Sequence, residues 1–389
     1  MTIDVAAARR DTPGVERVIH FNNCGAALMP RPVIAAVDTH LRLESEIGGY
    51  EAEARAADAL EGAYGAVARL IGAGADEIAL VENATRAWDM AFYAFDFRPG
   101  DRILTAMAEY ASNYIAFLQV ARRTGAVVEP VPDDADGQLD VEALARMIDD
   151  RVRLIAVTHV PTNGGLVNPA AAIGRVARAA GVPFLLDACQ SVGQMPVDVE
   201  AIGCDMLSAT GRKFLRGPRG TGFLYVRRPW IERLEPPFLD LRAATWTTPE
   251  RYEIRADARR FETWESFVAG RLGLAAAADY ATGLGLDAIW ARVRELADTL
   301  RARLATLPGA RVRDLGRTRC GIVTFTIDGR DPEEIKTTLG RAGINATTSS
   351  AASTRLDMTR RRLDKVVRLG VHYYNTETEI DRLVAALGG

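Results

Sequence analysis

Two segments decide the fold: PFLLDACQSVG at residues 183–193 and DMLSATGRKFLRGPRGTGFLYV at residues 205–226. Each contains a short apolar run that stops at polar residues, which is the pattern of a strand buried on both faces of a sheet. The first run ends at Asp187, with Gln190 three residues further on, and the second ends in a Thr-Gly-Arg-Lys turn that closes at Lys213. Because ligands bind at the carboxyl ends of the strands in such sheets, these polar residues predict a ligand site.

Similar apolar runs alternate with helical patterns through the preceding part of the chain. This alternation favours a mostly parallel sheet covered by helices on both faces, so the predicted fold class is α/β. The further predicted strands are EIALVEN (77–83), DRILTAM (101–107), AVVEPVP (126–132) and VRLIAVTHV (152–160).

A second α/β pattern begins near Phe261. Two long helical segments are followed by a strand, a helix, a strand and a last helix, which opens with the capping-box pattern Thr376-Glu-Thr-Glu379. A chain of 389 residues also exceeds a typical single domain. We therefore predict a large domain over residues 16–260 and a smaller C-terminal domain over residues 261–389, to which the N-terminal segment 1–15 also belongs.

Composition argues against several classes of function. The formal net charge is −3 and no apolar run approaches the roughly 20 residues of a spanning helix, so neither a nucleic-acid partner nor a membrane is expected. The first residues lack the apolar core of a secretory signal, and we expect a cytoplasmic protein. The four cysteines and four histidines are scattered without metal-ligand spacing, so no metal site is predicted.

The polar residues at the strand ends fit the chemistry of pyridoxal 5'-phosphate (PLP). This cofactor withdraws electrons when a carboxylate keeps its pyridine nitrogen protonated, a task suited to Asp187. It is held by a lysine that also moves a proton at the substrate Cα, a task suited to Lys213 because a desolvated amine can lose its charge. A lysine after a strand is more often a plain surface charge, so the non-enzymatic alternative is a scaffold or regulatory protein without PLP.

The segment from Asp187 to Lys213 resembles the class V aminotransferase family of PLP-dependent enzymes. The resemblance covers nearly the whole chain, from HFNNCGAALMP (20–30) to VVRLGVHYYNTETEIDRL (366–383). It implies the PLP-dependent transferase fold type I, in which a large domain with a mostly parallel seven-stranded sheet is joined to a smaller C-terminal α/β domain. It also implies a homodimer in which the neighbouring chain contributes to the phosphate site.

The resemblance further implies a role for each matching residue at the cofactor. Lys213 is expected to form the Schiff base and Asp187 to face the pyridine nitrogen. Gln190 is expected to bond the phenolic oxygen, and the ring of Tyr110 to stack on the cofactor. The expected phosphate ligands are Ala84, Thr85, Arg86, Thr210 and Arg212, together with Thr245 of the neighbouring chain.

The resemblance also implies residues on the substrate side. Arg368 is expected to grip the α-carboxylate of a small-molecule amino acid, a bidentate task suited to a guanidinium. Asn23 and Arg355 are further candidates for substrate contacts, and the alternative for Arg355 is a solvated loop arginine. Beside the cofactor ring the match leaves two alternatives open, Thr162 and Asn163.

The absence of cysteine from one C-terminal segment limits which reactions the protein can catalyse. Residues 344–362 contain no cysteine, whereas cysteine desulfurases carry a mobile cysteine in the matching loop, so persulfide transfer is disfavoured. ENATRAW (82–88) and RRFETWE (259–265) look closest to the isopenicillin N epimerase-like branch, which includes C–S lyases of the ergothioneine type. We therefore predict a PLP-dependent C–S β-lyase that acts on a cysteine conjugate or its sulfoxide. The alternatives are an amino-acid racemase or epimerase, with Tyr110 as second proton donor, and an aminotransferase.

Overall fold

The computed structural model describes residues 2–388. The helices are α1 (Val5–Arg10), α2 (Arg31–Ile47), α3 (Gly49–Arg55), α4 (Ala57–Ile71), α5 (Ala84–Phe92), α6 (Ala111–Thr124), α7 (Val141–Met147), α8 (Ala170–Ala180), α9 (Val199–Ile202), α10 (Arg228–Ile231), α11 (Val268–Leu284), α12 (Leu286–Ala305), α13 (Pro332–Arg341), α14 (Arg355–Arg360) and α15 (Glu377–Gly388). The strands are β1 (Ile19–His20), β2 (Ile78–Val81), β3 (Arg102–Ala106), β4 (Val127–Val131), β5 (Val152–Thr158), β6 (Phe184–Asp187), β7 (Met206–Thr210), β8 (Gly222–Val226), β9 (Ala244–Thr248), β10 (Arg251–Ile254), β11 (Ala310–Val312), β12 (Ile322–Ile327), β13 (Ile344–Asn345), β14 (Thr347–Ser350) and β15 (Lys365–Gly370).

A seven-stranded sheet in the order β2-β8-β7-β6-β5-β3-β4 forms the centre of the large domain. Neighbouring strands are parallel except at β8, which runs antiparallel to β2 and β7. The register places Asp187 of β6 between Thr158 of β5 and Ser208 of β7. The predicted mostly parallel sheet is confirmed, and polar residues at its carboxyl edge lie side by side.

The apolar side chains of this sheet pack into two layers, one on each face. In β6, Phe184 and Leu186 belong to one layer and Leu185 to the other, as expected when successive side chains point to opposite faces. Both faces are covered by helices, which explains why the run is continuously apolar. Burying each such side chain contributes roughly 1.5–3 kcal/mol relative to leaving it exposed.

Gly193 allows the loop after β6 to lie against the loop after β7. Its φ of 91° is in the left-handed region, and a Cβ atom at this position would lie 2.3 Å from the backbone nitrogen of Leu215. Only glycine tolerates both the conformation and the contact. The loop that follows Asp187 is thereby packed against the loop that follows Lys213.

An antiparallel sheet in the order β11-β12-β15-β14 forms the smaller domain. Helices α12 and α13 pack on this sheet, and α15 packs on both of these helices. The predicted capping box at the start of α15 is confirmed. The backbone N–H of Glu379 donates to Thr376 Oγ1 at 3.3 Å, and the backbone N–H of Thr376 donates to Glu379 Oε2 at 3.2 Å.

Two sets of contacts concern the boundary between the domains, which stays a prediction. Strand β1 pairs in parallel with β13, so residues 19–20 join the small domain although the predicted large domain begins at 16. Helix α11 packs against α2 and α4 of the large domain, whereas α12 packs against α15, β11 and β12. From these contacts we propose that the boundary lies nearer Gly285 than Phe261. An apolar stripe shows that a helix is buried but does not show against which neighbour.

No helix within residues 2–388 is both long and apolar enough to cross a membrane. The same residues contain no group of three or more His, Cys, Asp or Glu side chains placed to hold a metal ion.

Candidate active site

A cavity of about 320 Å³ opens at the carboxyl edge of the seven-stranded sheet. It lies where the turn before α5, the start of α6, the end of β6 and the turn after β7 meet. Its volume lies within the range typical of small-molecule and cofactor sites. The cavity is lined by Asn83, Ala84, Thr85, Tyr110, Asn113, Asp187, Cys189, Thr210, Arg212 and Lys213. The predicted site residues brought together here are Lys213, Asp187, Tyr110, Ala84, Thr85, Thr210 and Arg212.

Lys213 is the lysine that this chain can offer to a cofactor in the cavity. The chain has three lysines. The other two, Lys336 and Lys365, both pair with Glu333 in the small domain, at 3.3 and 3.4 Å. Lys213 instead lines the cavity, directly after β7. A covalent bond between a lysine and a ligand at this edge of the sheet therefore requires Lys213.

The turn that carries Lys213 is fixed by the buried Arg216. The backbone N–H of Arg216 donates to the Lys213 carbonyl at 2.9 Å. The guanidinium of Arg216 donates to the Leu28 carbonyl at 2.8 Å and to the Tyr373 hydroxyl at 2.6 Å. Arg216 also has a left-handed φ of 63°, a conformation that persists only where the surroundings over-determine it. The turn is thus anchored both to the N-terminal loop and to the small domain.

Asp187 is a buried carboxyl group at the end of β6. Burial raises the pKa of Asp187, while the hydrogen bond from Asn113, the backbone N–H of Cys189 and the charge of Lys213 lower it. Asn113 Nδ2 donates to Oδ2 at 3.0 Å, and the Cys189 N–H donates to Oδ1 at 2.9 Å. A buried carboxylate is stabilised by a cation placed against it. A protonated pyridine nitrogen supplies such a cation.

The start of helix α5 forms a cradle for a phosphate group. Asn83 caps the helix, since its Oδ1 accepts from the backbone N–H of Arg86 at 2.9 Å. The N–H groups of Ala84 and Thr85 lie in the first turn, which has no intrahelical acceptors and favours anions. The role of Arg86 at the phosphate stays a prediction; its guanidinium lies over the ring of Phe238, at 4.9 Å, and does not line the cavity. Successive helical residues point about 100° apart, so neighbours in sequence face different surroundings.

Two residues that follow β3 were given no role from the sequence: Asn113, which lines the cavity, and Glu109, which does not. Tyr110, whose side chain lines the cavity, directly precedes α6, and its backbone N–H donates to Glu109 Oε1 at 2.9 Å. Asn113 lines the cavity one helical turn further on and contacts both Glu109 and Asp187. A glutamate directly after a buried strand, with an asparagine four residues later, was the signal that could have identified both.

Gln190 lies beside the cavity but does not line it. Its Nε2 donates to the Cys24 carbonyl at 3.0 Å, while its buried Oε1 has no hydrogen-bond partner within residues 2–388. Unpartnered buried polar atoms are uncommon because they cost free energy, so each one points to a missing partner. The role of Gln190 at the phenolic oxygen stays a prediction.

Thr162 and Asn163, the two alternatives beside the ring, face different parts of the small domain. Thr162 accepts a hydrogen bond from Arg368 Nη1 through its hydroxyl. Asn163 Nδ2 donates to Thr354 Oγ1 at 2.9 Å and contacts Met358. Neither residue lines the cavity. Thr162 is therefore linked to the predicted substrate anchor, whereas Asn163 helps to hold α14.

The remaining predicted residues lie away from the cavity within the chain. The substrate contact expected of Asn23 stays a prediction, and in this structure its side chain is buried and donates to the carbonyls of Gly370 (2.7 Å) and His20 (3.2 Å). Its amide is thus committed to holding the N-terminal loop. Arg355 is exposed at the start of α14, and Thr245 is exposed on β9.

The residues at this edge of the sheet fit PLP. Lys213 can hold the aldehyde carbon, Asp187 can pair with the pyridine nitrogen and the first turn of α5 can bind the phosphate. The raised pKa of the Asp187 carboxyl and the unpartnered oxygen of Gln190 are both features that a bound polar ring would relieve.

Comparisons with known proteins agree with this assignment. The family described as Aminotransferase class-V matches residues 19–383. A probable cysteine desulfurase of Methanothermobacter thermautotrophicus is 30% identical over 381 residues, covering 96% of this chain and 95% of that protein. The apo structure of a cysteine desulfurase from Thermococcus onnurineus NA1 matches with a TM-score of 0.91 at 26% identity, over 100% of this chain and 98% of the other. A structure of the cystine C–S lyase C-DES with its product cysteine persulfide matches with a TM-score of 0.87 at 24% identity, over 97% and 99% of the two chains.

Fold and site together define a PLP-dependent enzyme of fold type I. The chain belongs to the class V aminotransferase family. The resemblance, the cofactor and the predicted class of PLP-dependent lyase acting on an amino acid are thereby confirmed.

Proposed function

We propose that the protein is a C–S β-lyase that cleaves a cysteine conjugate or its sulfoxide without using a thiol of its own. The observation that carries this proposal is the position of the cysteines. Relatives are named cysteine desulfurases, but the chain has no cysteine in residues 344–362. A mechanism that passes sulfur to a cysteine in that segment has no acceptor here.

The cysteines elsewhere in the chain are poorly suited to take sulfur from a substrate. Cys24, Cys204 and Cys320 are fully buried. Cys189 lines the cavity, but burial raises the pKa of its thiol, an effect only partly offset by the nearby charge of Lys213. Because the thiolate is the nucleophile, this environment disfavours attack on sulfur. Cys189 also lies between Asp187 and Gln190, beside the proposed place of the cofactor ring rather than that of the substrate.

Residues 344–362 are instead docked onto the rest of the molecule. Strand β14 pairs with β15. Arg360 Nη1 lies 3.2 Å from Asp133 Oδ2 of the loop after β4. Thr354 accepts from Asn163 at 2.9 Å. These contacts tie residues 344–362 to the rest of the small domain and to loops of the large domain.

The residues of the site can carry out β-elimination. When bound, PLP withdraws electrons from the Cα of an amino acid. Arg368 binds the substrate carboxylate, and Lys213 accepts the proton that leaves Cα. The Cβ–S bond then breaks and the sulfur leaves with the bonding electrons. A conjugate and one water yield pyruvate, ammonia and a thiol, whereas a sulfoxide yields a sulfenic acid in place of the thiol.

We also propose that the active form is a homodimer. Large apolar side chains are exposed between residues 238 and 264, and the β9–β10 hairpin in this part of the chain carries Thr245. Exposed apolar patches of this kind mark interaction surfaces in soluble proteins. This aromatic surface consists of Phe238, Leu241, Trp246, Tyr252 and Trp264, which are 55 to 71% exposed. A second copy that covers it can bring Thr245 to the phosphate cradle of its neighbour.

The reaction is tested by incubating the PLP-loaded enzyme with an amino-acid panel that contains cysteine, S-alkyl cysteines and their sulfoxides. Pyruvate, ammonia, thiol and the chirality of the remaining amino acid are measured together. The proposal expects pyruvate and ammonia in equal amounts from the S-substituted cysteines. Inversion of chirality without pyruvate would identify a racemase or epimerase, and formation of a new amino acid from a keto acid would identify an aminotransferase.

A further inference from the structure

We propose that Glu109 is a positioning residue that orients Asp187 towards the cofactor through Asn113. This inference rests on the assignment of Asp187 to the pyridine nitrogen and is independent of which bond the enzyme breaks. Glu109 follows β3, is 3% exposed and does not line the cavity itself. Its effect on the cofactor therefore has to pass through its neighbours.

The carboxylate of Glu109 is a hub for hydrogen bonds at the ends of two adjacent strands. No arginine or lysine within residues 2–388 forms an ion pair with it, so uncharged donors alone offset the cost of its burial. Burial raises the pKa of Glu109, and these hydrogen bonds lower it. The donors are Thr105 Oγ1 (3.0 Å), the backbone N–H groups of Tyr110 (2.9 Å) and Thr158 (3.0 Å), Asn113 Nδ2 (2.9 Å) and the Thr158 hydroxyl.

The side chain of Asn113 joins Glu109 to Asp187. Its Nδ2 donates to Glu109 Oε1 at 2.9 Å and to Asp187 Oδ2 at 3.0 Å. An ionised carboxylate can only accept hydrogen bonds, so Glu109 requires that the nitrogen of this amide, and not its oxygen, faces it. The second N–H of the same nitrogen then points to Asp187. A glutamine at position 109 would remove that requirement, because its amide can donate to the oxygen of Asn113.

The consequence for Asp187 is a fixed carboxylate plane. Oδ2 accepts from Asn113, Oδ1 accepts from the backbone N–H of Cys189 at 2.9 Å, and the remaining lone pairs are left for a ligand. Glu109 also accepts a hydrogen bond from the backbone N–H of Tyr110, which lines the cavity. The buried carboxylate of Glu109 thus fixes the orientation of Asp187, the predicted partner of the pyridine nitrogen. It also fixes the backbone position of Tyr110, the predicted stacking residue.

The test compares Glu109→Gln and Asn113→Ala with the wild type. The apoprotein is titrated with PLP to obtain the dissociation constant, and the absorbance of the bound cofactor is recorded across a pH series. Neither measurement needs a substrate. Asn113→Ala removes the hydrogen bonds to Glu109 and to Asp187, and Glu109→Gln removes the charge that orients the amide of Asn113. We therefore expect the PLP dissociation constant to rise roughly tenfold to a hundredfold and the absorbance titration to shift.

The matched control is Asp205→Asn. Asp205 is a carboxyl group whose pKa is also raised by burial, but it lies at the opposite edge of the same sheet, where it accepts from the backbone N–H of Phe184 at 2.9 Å. We expect this variant to lose thermal stability without moving the cofactor titration. If Glu109→Gln keeps the wild-type dissociation constant and pH profile, or changes them no more than Asp205→Asn does, Glu109 has no positioning role. Should Glu109→Gln fail to fold, the same comparison is made with Glu109→Asp, which keeps the charge but shortens the side chain that reaches Asn113.

Discussion

Arg368 of the small-domain sheet donates through Nη1 to the hydroxyl of Thr162, which belongs to the loop after β5 of the large sheet. The same nitrogen lies 3.4 Å from the Thr162 carbonyl, and the buried Nε of Arg368 has no partner within residues 2–388. The guanidinium therefore reaches from one domain towards the other with part of its donor capacity unused. A substrate carboxylate is a suitable acceptor for these donors.

Replacing Arg368 with lysine should impair turnover without impairing cofactor binding. Lysine keeps the charge but cannot grip both carboxylate oxygens in one plane, and that grip fixes which Cα bond is weakened. We expect kcat/KM on the best amino acid to fall roughly tenfold to a hundredfold, since a hydrogen bond to a charged group contributes about 1.5–3 kcal/mol. PLP affinity should stay unchanged. Arg355→Ala is the control, and a larger effect there than at Arg368 would move the anchor to Arg355.

Replacing Lys213 with alanine should abolish covalent attachment of PLP and turnover together. The other two lysines are held at Glu333 and cannot reach the cavity. The measurement is borohydride reduction of the holoenzyme followed by mass spectrometry of its peptides. The cofactor mass is expected on the peptide that contains Lys213 and on no peptide of the Lys213→Ala variant, while Lys336→Ala should label like the wild type. Labelling at Lys336 or Lys365 would contradict the assignment.

Disrupting the aromatic surface should separate the subunits. Trp246 is 71% exposed on β9, and placing a charge there disfavours burial against a second copy. We expect Trp246→Glu to raise the dimer dissociation constant by at least about tenfold, measured by light scattering across a concentration series. Thr245→Ala should keep the dimer and weaken PLP binding. Val127→Glu, on the edge strand β4, is the control, and an active monomeric wild type would rule out the proposed assembly.

The pH dependence of stability should carry a contribution from Asp133, whose ion pair with Arg360 joins α14 to the large domain. Burial raises the pKa of Asp133 to about 6, with the nearby Asp357 and Asp134 acting in the same direction and Arg360 and Arg361 opposing them. The folded state therefore binds a proton that the unfolded state releases above about pH 4. The resulting stabilisation is fully present below pH 4 and is lost as pH rises through about 6.

Asp133→Asn removes the titrating carboxyl group, and with it the contribution of this residue to the pH dependence of stability. Relative to the wild type, the free energy of unfolding of the variant should therefore increase between pH 4.5 and pH 7.5, measured by urea denaturation. Asp136→Asn, an exposed residue of the same loop, controls for the change in net charge. A stability difference between Asp133→Asn and the wild type that stays constant over this pH range would show that Asp133 is not the group involved.

The strands and the pair Asp187 and Lys213 could be predicted because their signals are local. A buried strand of a parallel sheet is a continuous apolar run, and the first polar residue after it lies at the ligand edge. The same reasoning placed Thr210 and Tyr110 correctly at the cavity. Their chemical roles, like the cytoplasmic location and the dimer, stay predictions.

The features that the sequence could not show are contacts between distant parts of the chain. The guanidinium of Arg86 lies over the exposed ring of Phe238, a residue 152 positions further along the chain. The commitment of Asn23 depends on Gly370 at the far end of the chain. Helix α11 shows an apolar stripe in its sequence, but only its packing assigns it to α2 and α4. Glu109 was given no role because its position after a strand does not show that its carboxylate accepts hydrogen bonds from Thr158, 49 positions further along the chain.

The measurement that tests the proposed function most directly is the ratio of pyruvate to alanine released from S-substituted cysteine and from cysteine itself. β-Elimination yields pyruvate and ammonia, whereas desulfuration yields alanine and leaves the sulfur as a persulfide on a protein cysteine. We expect S-substituted cysteine to give pyruvate with no alanine, and we expect Cys189→Ser to retain this activity. Alanine formed in step with a persulfide on a cysteine of the chain would contradict the proposal and assign the protein to the desulfurase reaction of its relatives.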